Sequence, residues 1–382
     1  MLFVITYIVD MVLTFSPVLL RFTVPENQKQ VNDMIIPRLY SALTEQEKLE
    51  GAGKCLEMWI EVGRACDHAC RYCFADKAKR GRQMTPVSYI EAINNFAVLG
   101  GKTVGVPGLG EPFHPMNRAH TYTILEQCCL KGLRTAVFTS GYAFDNEVLD
   151  RIIEWDVTLM IKFNSMRPEI QDALVATPGY TEVRTANIER LLVRLNGSRP
   201  APEGITHVGM VTMLRPENLE EMPEIFRYCR RNGFYPDFDT ELEFGRGRRL
   251  LTDEQIKQTF EELQRIDREE FDNDWEISPA YVAGHCDRCD KHLYVQYDGK
   301  VSPCLGASMR GIYVGKAPHL KYAWETDALM KKIRNREYEG ECTTCQLFRE
   351  HKCNSCLGRF VDEISHERIN TTGCWCHKDI QQ

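Results

Sequence analysis

The sequence predicts an α/β protein, with a partial (β/α)6 TIM-like barrel followed by a small cysteine-rich domain. Two observations predict this fold. Strand-like apolar runs alternate with amphipathic helical stretches from about residue 55 to about residue 245, and closely spaced cysteines replace that rhythm after about residue 274. Strands separated by helices of this length indicate βαβ units and therefore a parallel sheet.

The barrel is predicted to contain six strands. The strand-like runs span residues 56–62, 103–107, 134–139, 157–163, 207–213 and 234–244, and the helical stretches lie near 85–99, 117–131, 145–155, 181–195 and 218–232. Six strands are too few for a complete eight-stranded barrel but suit an open, curved one. In barrels of this kind, functional groups gather at the carboxyl ends of the strands.

Four segments follow from this pattern. We predict an N-terminal extension at residues 1–50, the barrel at 51–249, a linker helix at 250–273 and an auxiliary domain at 274–382. Thr252 and Gln255 have the spacing of a capping box at the start of the linker helix. The auxiliary segment has too little periodic apolar pattern for an ordinary core, so we expect bound metal to supply part of its folding energy.

Composition and charge exclude several classes of protein. The 382 residues carry a net charge of −7, so no basic face is available to follow a nucleic-acid backbone.

Residues 1–22 are largely apolar, but Asp10 lies in the middle of the segment and Pro17 interrupts it. An Asp near the centre of a bilayer is costly, so we expect a hydrophobic extension rather than a membrane anchor.

The chain contains 16 cysteines, most of them in closely spaced groups. Because no export signal is apparent, such groups indicate metal binding in a reducing cytoplasm rather than disulfides.

Three of these cysteines carry the strongest functional signal. Cys66, Cys70 and Cys73 form a C-x3-C-x2-C run directly after the first predicted strand. Four thiolates would complete the ligands of a [4Fe–4S] cluster, whereas three leave one iron without a protein ligand. An open coordination position is where a small molecule binds and reacts. Tyr72, beside the last cysteine, is placed to lie against a flat ligand.

Polar and glycine-rich segments follow the next three strands. Gly108-Leu109-Gly110-Glu111 follows the second strand, Ser140 follows the third and Ser165 follows the fourth. Glycines at a strand end let the backbone approach a ligand closely, and hydroxyl groups at the mouth of a barrel can bind ribose or carboxylate groups. Taken alone, each segment is more typical of a turn or a helix cap.

The cysteine run and its position resemble the signature of the radical S-adenosylmethionine (SAM) superfamily, over roughly residues 55–245. The resemblance implies a [4Fe–4S] cluster on Cys66, Cys70 and Cys73 with SAM bound at the open iron. It also implies that the segment Gly108, Gly110 and Glu111 holds the methionyl amino group, although Leu109 replaces the family's middle glycine. Ser165 would contact the ribose and Arg184 the carboxylate.

The C-terminal cysteines resemble the SPASM domain, which carries two auxiliary clusters. The resemblance implies one set of ligands near the active site and one outer set: Cys286, Cys289, Cys304 and Cys356 for the inner cluster, and Cys342, Cys345, Cys353 and Cys374 for the outer one, with Cys376 a rival for the last place. The family has three residues between the last paired cysteines and five in the preceding gap, whereas this chain has two and seven. A pair of zinc ribbons is the alternative, because C-x-x-C pairs also fit tetrahedral zinc.

The resemblance implies an oxidoreductase that reductively cleaves SAM to a 5′-deoxyadenosyl radical and removes a hydrogen atom from a substrate C–H bond. A low-potential donor such as flavodoxin or ferredoxin would supply the electron, and the auxiliary clusters would accept or relay electrons. The SPASM resemblance favours oxidation, cross-linking or maturation of a peptide or protein side chain. In the sulfatase-maturing branch an Asp follows the cysteine that corresponds to Cys304, whereas Leu305 stands here.

Two other functions remain open from the sequence. One is dehydrogenation or epimerisation of an aminocyclitol or sugar. The other is a non-catalytic, zinc-binding scaffold or regulator.

Overall fold

The computed structural model describes residues 38–75, 81–198, 204–275, 288–359 and 361–374. The apolar segment 1–22, Cys286 and Cys376 therefore lie outside the described residues. Among the described residues, no helix combines the length and the hydropathy that a membrane span requires.

The described strands are β1 Arg38–Leu39, β2 Glu57–Ile60, β3 Thr103–Val106, β4 Arg134–Thr139, β5 Val157–Lys162, β6 Ile205–Thr206, β7 Val208–Leu214, β8 Tyr235–Thr240, β9 His292–Val295, β10 Lys300–Ser302, β11 Gly315–Lys316, β12 Glu339–Gly340, β13 Val361–Ile364 and β14 Ile369–Thr371. The α-helices are α1 Glu45–Glu50, α2 Pro86–Val98, α3 Pro115–Leu130, α4 Asn146–Glu154, α5 Pro168–Val175, α6 Tyr180–Ser198, α7 Met222–Arg231, α8 Asp253–Phe271, α9 Leu305–Met309, α10 Leu320–Glu325, α11 Ala328–Asn335 and α12 Gln346–Arg349. Short 3₁₀ turns lie at Leu219–Glu221, Ala317–His319 and Glu341–Thr344.

Six parallel strands form the centre of the main sheet, in the order β2-β3-β4-β5-β7-β8. This order confirms the predicted partial barrel, in which each strand pairs with the one before it. The sixth strand was predicted to reach residue 244 but ends at Thr240. Beyond it the chain turns through Gly245, whose φ of +60° a residue with a side chain rarely adopts.

The C-terminal region extends the same sheet. Strand β9 pairs in parallel with β2, and the antiparallel strands β10 and β11 follow it. The hydroxyl of Tyr294 donates a hydrogen bond to the buried carboxylate of Glu61, and the backbone N–H of Tyr297 donates to the same carboxylate at 3.2 Å. Barrel and C-terminal region are therefore joined by both backbone and side-chain hydrogen bonds.

The C-terminal region also has more core than its sequence pattern predicted. Its buried side chains, such as Leu320, Trp324 and Met330, belong to the same apolar cluster as the barrel, and α10 packs against the barrel helix α2. The prediction that this region lacks an ordinary core was wrong, because its short helices bury their apolar faces against the barrel as well as against each other.

Helix α8 begins as its capping pair predicted. The backbone N–H of Gln255 donates to Oγ1 of Thr252 at 3.2 Å, and the N–H of Thr252 donates to Oε1 of Gln255 at 3.0 Å. Helix α8 then packs on α7, where the guanidinium of Arg230 forms a buried pair with Asp267, with Nη2 2.7 Å from Oδ2.

Candidate active site

The three cysteines of the run lie together in the loop after β2. Cys66, Cys70 and Cys73 are partly buried and line a single cavity, which we call the cysteine cavity; it has about 700 Å³ of empty space, part of it open to solvent. Backbone hydrogen bonds fix the loop on both sides: the N–H of Arg71 donates to the carbonyl of Leu174 at 2.9 Å. On the other side, the N–H of Arg246 donates to the carbonyl of Cys73 at 2.8 Å.

The donor set of this cavity fits an iron–sulfur cluster. Burial, with the negative charges of Cys73 and Cys66, raises the pKa of the Cys70 thiol to about 11. Three neighbouring thiolates in a partly buried cavity repel one another, and positively charged iron offsets that repulsion. In the part of the chain that the structure describes, no three His, Cys, Asp or Glu side chains converge as they would around a single metal ion. Cluster ligands each bind a different iron and therefore stand farther apart.

The glycine segment after β3 lies against the cysteine loop. A Cβ atom on Gly110 would stand 2.6 Å from the carbonyl oxygen of Gly63 and 2.8 Å from that of Ala65. Gly108 has a φ of +64°, and a Cβ atom there would stand 2.4 Å from the carbonyl oxygen of Phe138. Only glycine fits at these two positions, so the backbone itself forms this wall of the cysteine cavity.

Glu111 lines the cysteine cavity, and its carboxylate is engaged by hydrogen bonds from neighbouring residues. Its Oε2 accepts hydrogen bonds from the backbone N–H and the hydroxyl of Ser140, both at 2.7 Å, and its Oε1 accepts from the hydroxyl of Thr139 at 2.7 Å and the N–H of Phe113 at 3.2 Å. Glu111 is buried, and these bonds fix the end of β4 relative to the glycine segment.

Tyr72 and Ser140, which the sequence predicts to contact a ligand, both line the cysteine cavity. Tyr72 is buried, and its hydroxyl accepts a hydrogen bond from Nδ2 of Asn164 at 2.7 Å. That bond holds its ring beside Cys70 at the base of the cavity.

The auxiliary cysteines fall into two groups. Cys304 and Cys356 line a second cavity, and the thiols of Cys289 and Cys304 both lie close enough to Tyr338 to help raise its pKa, which burial raises most. In the other group, burial and the charges of Cys374 and Cys345 raise the pKa of the Cys342 thiol. Cys289, Cys304 and Cys356 thus lie in one region, and Cys342, Cys345 and Cys374 in another. Their division into ligands of two clusters stays a prediction. Cys353 is partly buried, and its carbonyl accepts a hydrogen bond from Nη2 of Arg336 at 3.0 Å.

Comparison with known families agrees with this arrangement. The profile of the radical SAM superfamily matches residues 60–229, and that of the SPASM iron–sulfur cluster-binding domain matches residues 286–346. Together the two matches span more than half of the chain. The chain is a radical SAM protein with a C-terminal SPASM domain. The cofactors of such a protein are SAM and [4Fe–4S] clusters. A search among curated proteins found no match.

Solved structures show the same fold. The protein is similar to Streptococcus suis SuiB bound to S-adenosylmethionine, with a TM-score of 0.64 and 15% identity, over 87% of this chain and 80% of that one. It is also similar to native anSMEcpe with bound AdoMet, with a TM-score of 0.62 and 15% identity, over 85% of this chain and 95% of that one. At this identity the likeness establishes the fold.

Two predicted SAM contacts do not line the cysteine cavity of this radical SAM protein. Ser165 is buried, and its hydroxyl lies 2.7 Å from Oε1 of Glu221. Arg184 is 1% exposed, lies 4.5 Å over the ring of Phe163 and forms no ion pair with any described residue, while its Nε has no hydrogen-bond partner there. An unpaired buried guanidinium is costly and suits an anionic ligand.

The second cavity, which we call the lumen cavity, is lined by barrel strands and by the C-terminal region, and it has about 970 Å³ of empty space, part of it open to solvent. Sequence reasoning missed its charged residues, which come from strand ends and from the SPASM domain. They are Lys162, Asp237, Asp239, Arg288 and Arg359. The alternation Tyr-Pro-Asp-Phe-Asp-Thr in β8 was a signal for two of them, since every second residue of a strand shares a face.

Proposed function

We propose that this radical SAM protein oxidises or cross-links a side chain of a peptide or protein that reaches into the lumen cavity. When bound, SAM and its cluster supply a 5′-deoxyadenosyl radical that removes a hydrogen atom, and the auxiliary clusters supply a path for electrons. The residues of the chain hold these groups, orient the substrate and exclude water.

The position of the lumen cavity carries this proposal. On one side it shares Phe74, Phe138, Lys162 and Met213 with the cysteine cavity, and on its other side it is lined by Cys304 and Cys356. A group bound there lies between the SAM site and the inner set of auxiliary cysteines. Such a position suits a substrate that gives up a hydrogen atom on one side and an electron on the other.

The chain's own residues prepare this site in three ways. The loop of Cys66, Cys70 and Cys73 would hold the SAM-binding cluster, and the backbone at Gly108 and Gly110 would lie against the methionyl group. Apolar walls of the lumen cavity, including Trp59, Phe138 and Leu357, keep water away from a reactive radical.

A peptide substrate is supported by an opening beside the lumen cavity. A further cavity, bordered by Arg64, Phe244, Leu305 and Met309, shares Leu305 with the lumen cavity and lies between the barrel and the SPASM domain. SuiB has been solved bound to the precursor peptide SuiA, and anSMEcpe with the Cp18Cys peptide. A chain-like substrate would pass through this opening and place one side chain in the lumen cavity.

Metal analysis and SAM cleavage under strict exclusion of oxygen test the proposal. We expect roughly twelve iron atoms per chain, as three [4Fe–4S] clusters require, and formation of 5′-deoxyadenosine when dithionite is added. Cys70→Ser should abolish cleavage and lower the iron content by about one third. The matched control is Cys129→Ser, because Cys129 is exposed on helix α3 and lines none of these cavities. Zinc in place of iron, or unchanged cleavage in Cys70→Ser, contradicts the proposal.

Deuterium transfer distinguishes a peptide substrate from a sugar. The enzyme is incubated with a peptide fraction and, separately, with a sugar fraction from cells grown in deuterated medium. We expect deuterium in 5′-deoxyadenosine from the peptide fraction alone. Transfer only from the sugar fraction contradicts a peptide substrate.

A further inference from the structure

Two carboxylates of strand β8 face the lumen cavity, and they have different surroundings. Asp239 is held: its Oδ1 accepts hydrogen bonds from Nη2 of Arg359 and from the N–H of Thr240, both at 2.7 Å. The carboxylate of Asp237, two residues earlier on the same face, forms no hydrogen bond or ion pair with any described residue, and it lines the cavity. One of the two acids is thus engaged, and the other remains accessible to a ligand.

An acid in this position is suited to bind a ligand, because a partly buried carboxylate without a partner gains from a hydrogen-bond donor. Burial and the charge of Asp239 raise the pKa of Asp237 to about 6, against the opposing charges of Lys162 and Arg288. When two titratable groups share a site and their surroundings separate their proton affinities, the pair commonly divides acid and base roles. An acid that titrates close to neutral pH is suited to accept a proton during turnover.

The other charged and titratable groups around Asp237 come from four parts of the chain. Lys162 ends β5, Tyr235 and Asp239 lie on β8 itself, Arg288 and His292 lie at the start of the SPASM region, and Arg359 follows Cys356. Lys162 forms no ion pair with Asp237, although it is near enough to lower the pKa of that acid. A substrate group can therefore reach Asp237 without first breaking a salt bridge to Lys162.

We propose that Asp237 accepts a hydrogen bond, and then the proton, from a hydroxyl, thiol or amine on the substrate carbon that loses its hydrogen atom. This inference rests on the proposed function and adds to it a substrate class and a base. It also supplies a carboxylate at the site where Leu305 cannot act as one.

The substrate H–C–X–H, in which X is oxygen, sulfur or nitrogen, loses the hydrogen atom on carbon to the SAM-derived radical. The proton on X passes to Asp237, and one electron passes to an auxiliary iron–sulfur cluster as the oxidant. A C=X double bond forms, the C–H and X–H bonds break, and the substrate is oxidised by two electrons in total.

Binding of two small probes to the full chain, loaded with clusters and SAM, tests whether Asp237 accepts a hydrogen bond from the substrate. The probes are N-acetyl-L-serine methylamide and its alanine analogue, which lacks the hydroxyl. A hydrogen bond to a charged group predicts about a tenfold preference for the serine probe in calorimetry. Asp237→Ala should remove that preference. The control Glu243→Ala removes a nearby exposed carboxylate that does not line the lumen cavity. This variant should retain the preference for the serine probe.

The proton-accepting half is tested by infrared spectroscopy on the same loaded protein with ¹³C-labelled aspartate. We expect a carboxyl band that titrates near pH 6 in the parent and is missing in Asp237→Asn. A band that persists in the variant overturns the inference, as does an equal probe preference in Asp237→Ala or no preference in the parent. Both measurements are independent of SAM cleavage, so a parent that fails to cleave SAM refutes the proposed function separately.

Discussion

Arg359 of the C-terminal region donates a hydrogen bond from Nη2 to Oδ1 of Asp239 on β8, at 2.7 Å. The same nitrogen donates to the backbone carbonyl of Thr240, also at 2.7 Å. Because Arg359 follows Cys356 by three residues, this contact ties a proposed cluster ligand directly to the end of a barrel strand. It also fixes the acid next to Asp237.

Removing this contact should loosen the SPASM domain on the barrel. The two side chains are only 12% and 20% exposed, so Arg359→Leu leaves Asp239 largely buried without its partner and should lower the free energy of unfolding by about 2 kcal/mol. The electron paramagnetic resonance signal of the inner auxiliary cluster should broaden as its loop becomes less fixed. Chemical denaturation and spectroscopy of the loaded protein measure the two effects.

The control for Arg359 is Arg265→Leu, which removes an exposed arginine that pairs with Glu262 on helix α8. Exposed pairs contribute little, so this change should cost less than about 1 kcal/mol and leave the spectrum unaltered. Equal effects of the two substitutions would show that the Arg359 contact has no special role.

Gly110 should not tolerate a side chain. Gly110→Ala places a Cβ atom 2.6 Å from the carbonyl oxygen of Gly63, so one of the two loops must move, and the cysteine loop moves with it. We expect a loss of iron from the SAM-binding cluster and a loss of SAM binding, measured by iron analysis and equilibrium dialysis. In the control Gly197→Ala, the new methyl group meets nothing within 4 Å in helix α6 and should stabilise the protein by about 0.5–1 kcal/mol. Full iron content in Gly110→Ala contradicts the close packing.

Glu47 should make the stability of the barrel dependent on pH. Its carboxylate accepts hydrogen bonds from both terminal nitrogens of Arg134, at 2.8 and 2.7 Å, which attaches helix α1 to the first residue of β4. The hydrogen bond from Arg134 is the main cause that lowers the pKa of Glu47 to about 2. A carboxyl group with a lowered pKa stabilises the fold above its unfolded pKa, and this contribution is lost as the pH falls towards the folded one.

We therefore expect Glu47→Gln to lower the free energy of unfolding by about 1 kcal/mol at pH 7, once solvent screening is allowed for. The difference from the parent should shrink as the pH falls from about 4.5 to about 2. Denaturant unfolding at several pH values measures it. Glu45→Gln, which removes a carboxylate that is 83% exposed in the same helix, should show almost no difference. A difference in the free energy of unfolding that grows as the pH falls would contradict a stabilising role for the ionised Glu47 carboxylate.

The sequence predicted what depends on local pattern. The cysteine run, the glycine segment and the capping pair Thr252 and Gln255 could be read from spacing, because each is built by residues close together in the chain. The bond between Glu111 and Ser140 joins residues 29 apart, and that between Tyr294 and Glu61 joins residues 233 apart. No local pattern encodes such pairs.

Strand β8 shows the same limit within one element. Its alternation places Asp237 and Asp239 on one face, but Pro236 weakens the strand signal, and alternation does not say which face lines the barrel. The parallel pairing of β9 with β2 was also missed, because four residues within a cysteine-rich segment carry no mark of a partner so far away. Tertiary packing, rather than propensity, decides these features.

Arg184 should matter for SAM and not for the fold. Its guanidinium is buried over Phe163, burial lowers its pKa, and its Nη1 donates a long hydrogen bond to the carbonyl of Lys162, at 3.4 Å. If it binds the carboxylate of SAM, Arg184→Met loses a charge-assisted hydrogen bond, and the Kd for SAM should rise about 10–100-fold. The SAM-free protein should be as stable as the parent or more stable, because the substitution removes an unpaired buried charge and keeps an apolar side chain.

Equilibrium dialysis with SAM and denaturant unfolding without it separate the two effects, and the iron content should remain at the parent level. Arg184→Lys keeps the charge but loses the planar fork, so its affinity for SAM should fall between those of the parent and Arg184→Met. Parent-like SAM binding by Arg184→Met, together with a less stable SAM-free protein, would mean that Arg184 serves only to pack against Phe163.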